Sequence, residues 1–168
     1  MFDLTTPSSF GVHITPAQHT KHPLVEISYW NSQTLALAQA AVLVEGAPTS
    51  GAMGICEFRA QWPCIERLRA RFNVLVSKSN EFAWLLPKEW RVWAIAYESE
   101  FGFGVRVEAF PGRVLTLVVV HLACDAAIRL TQQAALEGLD LFGAWVLGGD
   151  FNNENEDKAL AEMGGLGG

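Results

Sequence analysis

Five polar residues stand at the ends of apolar, strand-like runs, where layered folds keep their reactive groups. Asn31 ends ISYWN, Glu45 ends AVLVE and His121 ends VVVH, while Asp150 and Asn152 lie in GGDFN. The set offers a hard oxygen ligand for Mg²⁺, an imidazole that can carry a proton or contact a phosphate, and an Asp-x-Asn pair. On an extended strand end such a pair points both side chains the same way. The pattern predicts a site for water attack on a phosphate.

Each of these residues also has a structural alternative. The position of His121 is also typical of a core histidine at a strand end, and the position of Glu45 is also typical of a surface carboxylate before a turn. Asp150 and Asn152 are compatible with an Asx turn that caps a following helix. The order of the motifs, rather than any single residue, favours the site.

Alternation and turn signals predict eight strands, at 24–30, 41–45, 73–77, 82–86, 92–97, 103–109, 114–121 and 144–149. Pro111-Gly112 predicts an antiparallel hairpin between the sixth and seventh of these. The unbroken apolar runs 114–120 and 144–147 predict neighbouring central strands that are buried on both faces.

Helices are predicted at 32–40, at 63–71 with Pro63 in the first turn, from an Asp125 N-cap to about 142, and at 154–163. Arg129 and Gln132 lie three apart on the third helix, a spacing that favours a structural tether over catalysis. The elements together predict an α/β (α+β layered) fold, with two facing mixed sheets and outer helices.

Length and composition bound the function. The 168 residues suit one domain, expected at 24–163, with an irregular arm at 1–23 and a flexible Gly-rich end at 164–168. A net charge of −6 argues against a broad DNA-coating surface. It does not exclude a phosphate substrate, because a bound divalent cation reverses the local sign. Three cysteines fit no zinc or redox spacing, and no signal peptide or membrane span is visible, so a cytoplasmic protein is expected.

The motifs, taken in order, resemble a known family. ISYWN (27–31), AVLVE (41–45), VVVHL (118–122), the R-x-x-Q of 129–132 and GGDFN (148–152) are similar to those of the endonuclease/exonuclease/phosphatase superfamily, the DNase I-like proteins. The match runs from about residue 27 to 160 and is truncated at its C-terminal end. The implied fold is a DNase I-like α/β sandwich that lacks C-terminal strands.

The resemblance implies a Mg²⁺-dependent phosphoester hydrolase, with Mn²⁺ as the alternative ion, which cleaves a phosphodiester by metal-assisted attack of water. Nucleic acid is among the implied substrates. By position, the resemblance assigns the metal to Glu45 and Asn31, catalysis to His121, Asp150 and Asn152, and substrate binding to Asn152 and Arg129.

Two departures from the family pattern leave a second function open. Only 13 residues separate Asn31 from Glu45, where the family has a long helix. Only 16 residues follow Asn152, and they lack the histidine of the family's final Asp-His pair. The alternative is an impaired member or fragment that acts as a binding or assembly module. Such a chain would pair with a second copy, or with a partner chain that completes its sheet.

Overall fold

The computed structural model describes residues 25–46, 50–139, 141 and 143–152. They form eight strands and three helices: β1 (Glu26–Asn31), α1 (Leu37–Gly46), β2 (Gly51–Cys56), α2 (Trp62–Arg69), β3 (Asn73–Val76), β4 (Phe82–Leu86), β5 (Arg91–Ser99), β6 (Gly102–Phe110), β7 (Arg113–His121), α3 (Ala126–Glu137) and β8 (Ala144–Asp150). The helix predicted at 154–163 and the arm at 1–23 lie outside the described residues.

The strands form two four-stranded sheets, in the orders β1-β2-β4-β3 and β5-β6-β7-β8. The pairs β1–β2 and β7–β8 are parallel, and all other pairs are antiparallel. Each parallel pair is joined through a helix, α1 in the first sheet and α3 in the second. Both sheets are therefore mixed, as predicted.

Three apolar clusters arrange the fold in layers. The largest fully buried side chains between the sheets are Trp84, Phe82 and Phe103. On the outer side of the first sheet, residues of α1 and α2 such as Leu68 pack on Ile55. Leu136 of α3 packs against the second sheet on its outer side. The order helix, sheet, sheet, helix confirms the predicted α/β layered class.

The second half of the chain follows its sequence pattern closely. Gly112 has φ +74° in the turn between β6 and β7, which confirms the hairpin. Strands β7 and β8 are parallel neighbours, with Leu115 level with Ala144 and His121 level with Asp150. The expectation that β8 is central and buried is wrong for the described residues. It is the outermost strand of its sheet, and Trp145 is 55% exposed.

The first half holds a correction. Residues 41–45 were predicted as a strand but belong to helix α1, and the strand β2 lies further on, in a stretch read as a loop. The two valines of AVLVE suggested a strand, yet the preceding segment is rich in alanine and leucine, which favour a helix. The third helix also ends earlier than predicted, at Glu137, with Gly138 as its C-cap.

Candidate active site

The carboxyl ends of the two parallel strand pairs meet at one edge of the molecule. Strand β1 ends at Asn31, β7 at His121 and β8 at Asp150, while Glu57 directly follows β2. Two contacts join the sheets at this edge: Asn31 Nδ2 donates to Asp150 Oδ2 at 2.9 Å, and His121 Nε2 lies 3.5 Å from Glu57 Oε1. We treat this edge as the candidate active site.

The carboxylate of Asp150 is held on both oxygens. Oδ2 accepts from Asn31 Nδ2 at 2.9 Å, and Oδ1 accepts from the backbone N–H of Asn152 at 2.9 Å. The amide of Asn31 is itself oriented, because its Oδ1 accepts from the backbone N–H of Gln33 at 3.1 Å. A carboxylate has about four lone-pair sites, so acceptor capacity remains for a water molecule. Asp150 is an oriented hydrogen-bond acceptor.

Glu57 is held in a conformation that few residues other than glycine adopt. Its φ is +52°, and its carbonyl oxygen accepts from Thr34 N at 2.8 Å and from Ser32 Oγ at 2.9 Å. The side chain is 22% exposed and faces His121, which is 25% exposed. Strained backbone that its surroundings hold in place is concentrated at functional sites. Sequence reasoning missed this residue.

Glu45, the predicted metal ligand, is not brought to this edge. Strands β1 and β2 run parallel with Asn31 level with Cys56, so α1 must return the chain to the start of β2 at Gly51. Glu45 is exposed near the C-terminal end of that return. It therefore lies toward the far end of the strands, and Glu57 stands where a strand-end carboxylate was expected.

The number of residues after Asn31 already indicated that the second strand could not begin at Ala41. A strand beginning at Ala41 would leave nine residues after Asn31 for the connection between two parallel strands. Parallel neighbours need a crossover of about a dozen residues or more, usually with a helix. The stretch between Asn31 and Gly51 satisfies that requirement, because it contains the ten residues of α1.

The thiol of Cys56, the last residue of β2, is buried next to this edge. Its pKa is raised to about 12, chiefly by burial and in smaller part by the negative charges of Asp150 and Glu57. Two carboxylates at one edge repel each other, and a bound cation would relieve that repulsion. In the parts of the chain that the structure describes, no cage of three or more His, Cys, Asp or Glu side chains could hold a metal ion.

A magnesium ion does not need such a cage. It is usually held by one or two carboxylates, with water and substrate phosphate oxygens filling the other positions. The carboxylates of Glu57 and Asp150 fit that requirement in number and in ligand type. The residues present are thus compatible with a divalent ion that binds together with its substrate.

Asn152 adopts a geometry that the sequence did not predict. It lies beyond the end of β8 with φ +47°, so the Asp-x-Asn pair is not extended and its side chains need not point the same way. Its Nδ2 donates to the carbonyl of Leu122 at 2.6 Å. Because Leu122 follows His121, Asn152 joins the loops after β7 and β8.

Arg129 makes the contacts of a tether. Its Nη1 donates to the carbonyl of Asn152 at 2.9 Å and to that of Cys124 at 2.8 Å. Gln132 Oε1 accepts from the backbone N–H of Ala123 at 2.7 Å. The first turns of α3 thus hold the loops next to His121 and Asn152, in agreement with the structural tether that the spacing of R-x-x-Q favoured.

The two glycines of GGDFN are required by close packing. A Cβ on Gly148 would lie 2.3 Å from the ring of Tyr29, which fills the space between the sheets. Gly149 has φ +141°, and a Cβ there would lie 2.0 Å from the carbonyl oxygen of Val120. These glycines set the close approach of β8 to β7 and to the facing sheet, and so fix the position of Asp150.

Gly149→Ala is expected to lower the free energy of unfolding by about 3 kcal/mol, because it combines an unfavourable φ with a backbone clash. Urea unfolding followed by tryptophan fluorescence measures the change. Gly138→Ala is the matched control. Gly138 has φ −80°, and an added Cβ would meet nothing closer than 3.6 Å. We expect that variant to stay within about 1 kcal/mol of the wild type; equal losses in both would contradict this account of β8.

Comparison with known proteins finds likeness at the level of structure. No protein-family model and no curated protein matches the sequence. TDP2 from Caenorhabditis elegans aligns with a TM-score of 0.53 and 19% identity over 71% of this chain and 42% of that chain. A truncated form of C. elegans TDP2 aligns with a TM-score of 0.54 and 18% identity, over 78% of this chain and 63% of that chain.

The endonuclease domain of TRAS1, a telomere-specific non-LTR retrotransposon, aligns with a TM-score of 0.57 and 19% identity, over 84% of this chain and 71% of that domain. The chain spans less than half the length of the first C. elegans TDP2 structure. At these identities the likeness concerns the fold. It agrees with the two mixed sheets and the outer helices, and so the chain shares the layered DNase I-like fold of these structures.

Proposed function

We propose that this protein is a metal-dependent phosphodiester hydrolase whose active site is the edge formed by Asn31, Glu57, His121 and Asp150. The observation that carries the proposal is the pair of side-chain contacts between the sheets, from Asn31 to Asp150 and from His121 to Glu57. Two acids, an imidazole and an amide at one edge supply the metal ligands, proton carriers and hydrogen-bond donors that hydrolysis of a phosphodiester uses.

Glu57 and Asp150 would hold a divalent ion, Mg²⁺ or Mn²⁺. When bound, such an ion polarises a phosphoryl oxygen and stabilises the charge that develops on it. Asp150 has acceptor capacity left on a carboxylate that Asn31 and the Asn152 backbone orient, so it is placed to take a proton from the attacking water. Positioning of this kind is a large part of catalysis in phosphoryl transfer.

His121 has a different role. Its Nε2 lies 3.5 Å from Glu57 Oε1. An imidazole N–H donates hydrogen bonds, so His121 is suited to contact a phosphate oxygen. Asn152 and Arg129 support this edge by holding the loops after β7 and β8. This proposal assigns Arg129 to positioning, in place of the direct substrate contact that the motif resemblance implied.

Hydrolysis of bis(4-nitrophenyl) phosphate with Mg²⁺ or Mn²⁺ tests the proposal. We expect 4-nitrophenol release that EDTA abolishes and that added metal restores. The names of the structural neighbours, an endonuclease domain among them, support a phosphodiester as the substrate class. The alternative of a binding or assembly module predicts a different result in the same samples: metal-dependent binding of the phosphodiester without release of product. Neither turnover nor binding with either metal would contradict both functions.

A further inference from the structure

The candidate active site is surrounded by loops that interact with one another. We call them the rim, formed by residues 31–36, 57–61, 78–81, 98–101, 121–125 and 150–152. Phe58 N donates to Glu81 O at 2.9 Å, which joins the loop after β2 to the turn before β4. His121 N donates to Phe101 O at 3.0 Å, which joins the end of β7 to the turn between β5 and β6. Any substrate that reaches Asp150 must therefore contact the rim.

Acidic groups outnumber basic groups on the rim. Six carboxylates belong to it: Glu57, Glu81, Glu98, Glu100, Asp125 and Asp150. The only Lys or Arg residues in these segments are Arg59 and Lys78, and Arg129 contacts them from α3. A strand of nucleic acid that crossed the rim would thus meet more negative than positive charge. One divalent ion would reduce this excess but not reverse it.

Each of the three cations already has a partner. Arg59 Nε lies 2.8 and 2.9 Å from the two carboxylate oxygens of Glu81. Lys78 Nζ lies 3.7 Å from Glu98 Oε2, although the lysine side chain is 91% exposed. Arg129 donates to backbone carbonyls. Each of the three is already paired or hydrogen-bonded, so none could neutralise a phosphate without giving up a contact, although that contact is weak for Lys78.

The other basic residues that the structure describes lie away from the rim. They are distributed over α2 and its C-terminal end, the strand β6, and the opposite ends of the strands: Arg67, Arg69, Arg71, Lys88, Arg91, Arg106 and Arg113. Lys21 and Lys158 are outside the described residues. The described residues of the rim can therefore bind a single phosphate group at the metal-binding edge, and they form no row of basic side chains that leads away from it.

We propose that the substrate is a short phosphodiester, of the size of a dinucleotide or smaller, and that the site does not engage an extended nucleic-acid backbone. This inference rests on the proposed function. In this proposal Glu81 and Glu98 determine substrate specificity, because each forms an ion pair with a cation of the rim that a longer substrate would otherwise contact.

Fluorescence anisotropy with Ca²⁺ present tests the inference without requiring turnover. The probes are a labelled dithymidine phosphate and a labelled oligothymidylate of about 20 residues, longer than the ~4–16-nucleotide sites of single-strand binders. We expect affinities within about tenfold of each other. Between about 50 and 200 mM NaCl, a plot of log K against log[NaCl] for the long probe should have a slope shallower than about −1. A single strand contributes about −0.7 to this slope for each phosphate contacted.

Glu81→Gln and Glu98→Gln provide matched variants away from the catalytic groups. Each removes one negative charge and frees one cation, so the salt slope of the long probe should steepen by up to about 1, while binding of the short probe changes less than about twofold. A long probe that binds more than about 100-fold tighter than the short one, with a slope near −4, would overturn the inference. Failure of both probes to bind would overturn it as well. Absent hydrolysis of every phosphodiester, with the short probe still bound, counts against the proposed function alone.

Discussion

Glu57→Gln is expected to lower metal-dependent phosphodiester hydrolysis by at least about 100-fold, because it removes a carboxylate ligand from the edge where the sheets meet. Calorimetric titration with Mn²⁺ should show weaker metal binding in parallel. The free energy of unfolding should change by less than about 1 kcal/mol, since the side chain is partly exposed and makes one 3.5 Å contact to His121. Loss of activity with stability retained identifies a functional role.

Glu45→Gln is the matched control for that variant. Glu45 is exposed near the C-terminal end of α1. A negative charge there opposes the helix dipole, so its removal should stabilise the protein by a few tenths of a kcal/mol. Hydrolysis should stay within about twofold of the wild type. The reverse outcome, with Glu45→Gln inactive and Glu57→Gln active, would restore the assignment that the motif AVLVE suggested.

The sequence predicted the second sheet well for physical reasons. In β6 phenylalanine and valine alternate with other residues, and β7 carries a run of valine and leucine. Both patterns favour extended structure, and Pro111-Gly112 marks the turn between the two strands. The strand β8 follows a helix whose N-cap, Asp125, accepts from Ala127 N and Ile128 N. These are local signals, so the placement of His121 and Asp150 at neighbouring strand ends was accessible from sequence.

The first sheet was harder because tertiary packing overrides local preference there. Strand β2 reads GAMGIC, and its small residues are typical of a loop. A Cβ on Gly54 would lie 3.0–3.1 Å from Trp84 and Tyr29 of its own sheet and from Val119 of the facing sheet, so tight packing favours glycine there. That preference depends on residues far away in the chain. Sequence pattern alone could not reveal it, and Glu57 was missed with the strand.

The geometry of Asn152 shows a second limit. The Asp-x-Asn spacing predicted two side chains pointing the same way, which holds only for extended backbone. The left-handed φ of Asn152 lets its backbone N–H reach Asp150 Oδ1 while its side chain binds Leu122 O. Asn is among the residues that adopt this conformation most readily. The residue type permitted the turn without specifying it.

Asp150→Asn is expected to lower hydrolysis by about 10²–10⁴-fold, because an amide cannot take the proton that a positioned carboxylate accepts. The substitution keeps the size of the side chain. It replaces one acceptor oxygen by a donor, so either Asn31 Nδ2 or the Asn152 N–H loses its partner, and the free energy of unfolding should fall by about 1–3 kcal/mol. Initial rates with bis(4-nitrophenyl) phosphate and urea unfolding measure the two effects.

Asp125→Asn separates this local role from the general loss of a negative charge. Asp125 belongs to the same rim, and its side chain caps α3. Asparagine caps helices about as well as aspartate, so this variant removes one charge and leaves the structure in place. We expect its hydrolysis rate to stay within about threefold of the wild type. Equal losses in the two variants would mean that the charge of the rim, rather than a proton acceptor at Asp150, sets the rate. A fully active Asp150→Asn would remove Asp150 from catalysis.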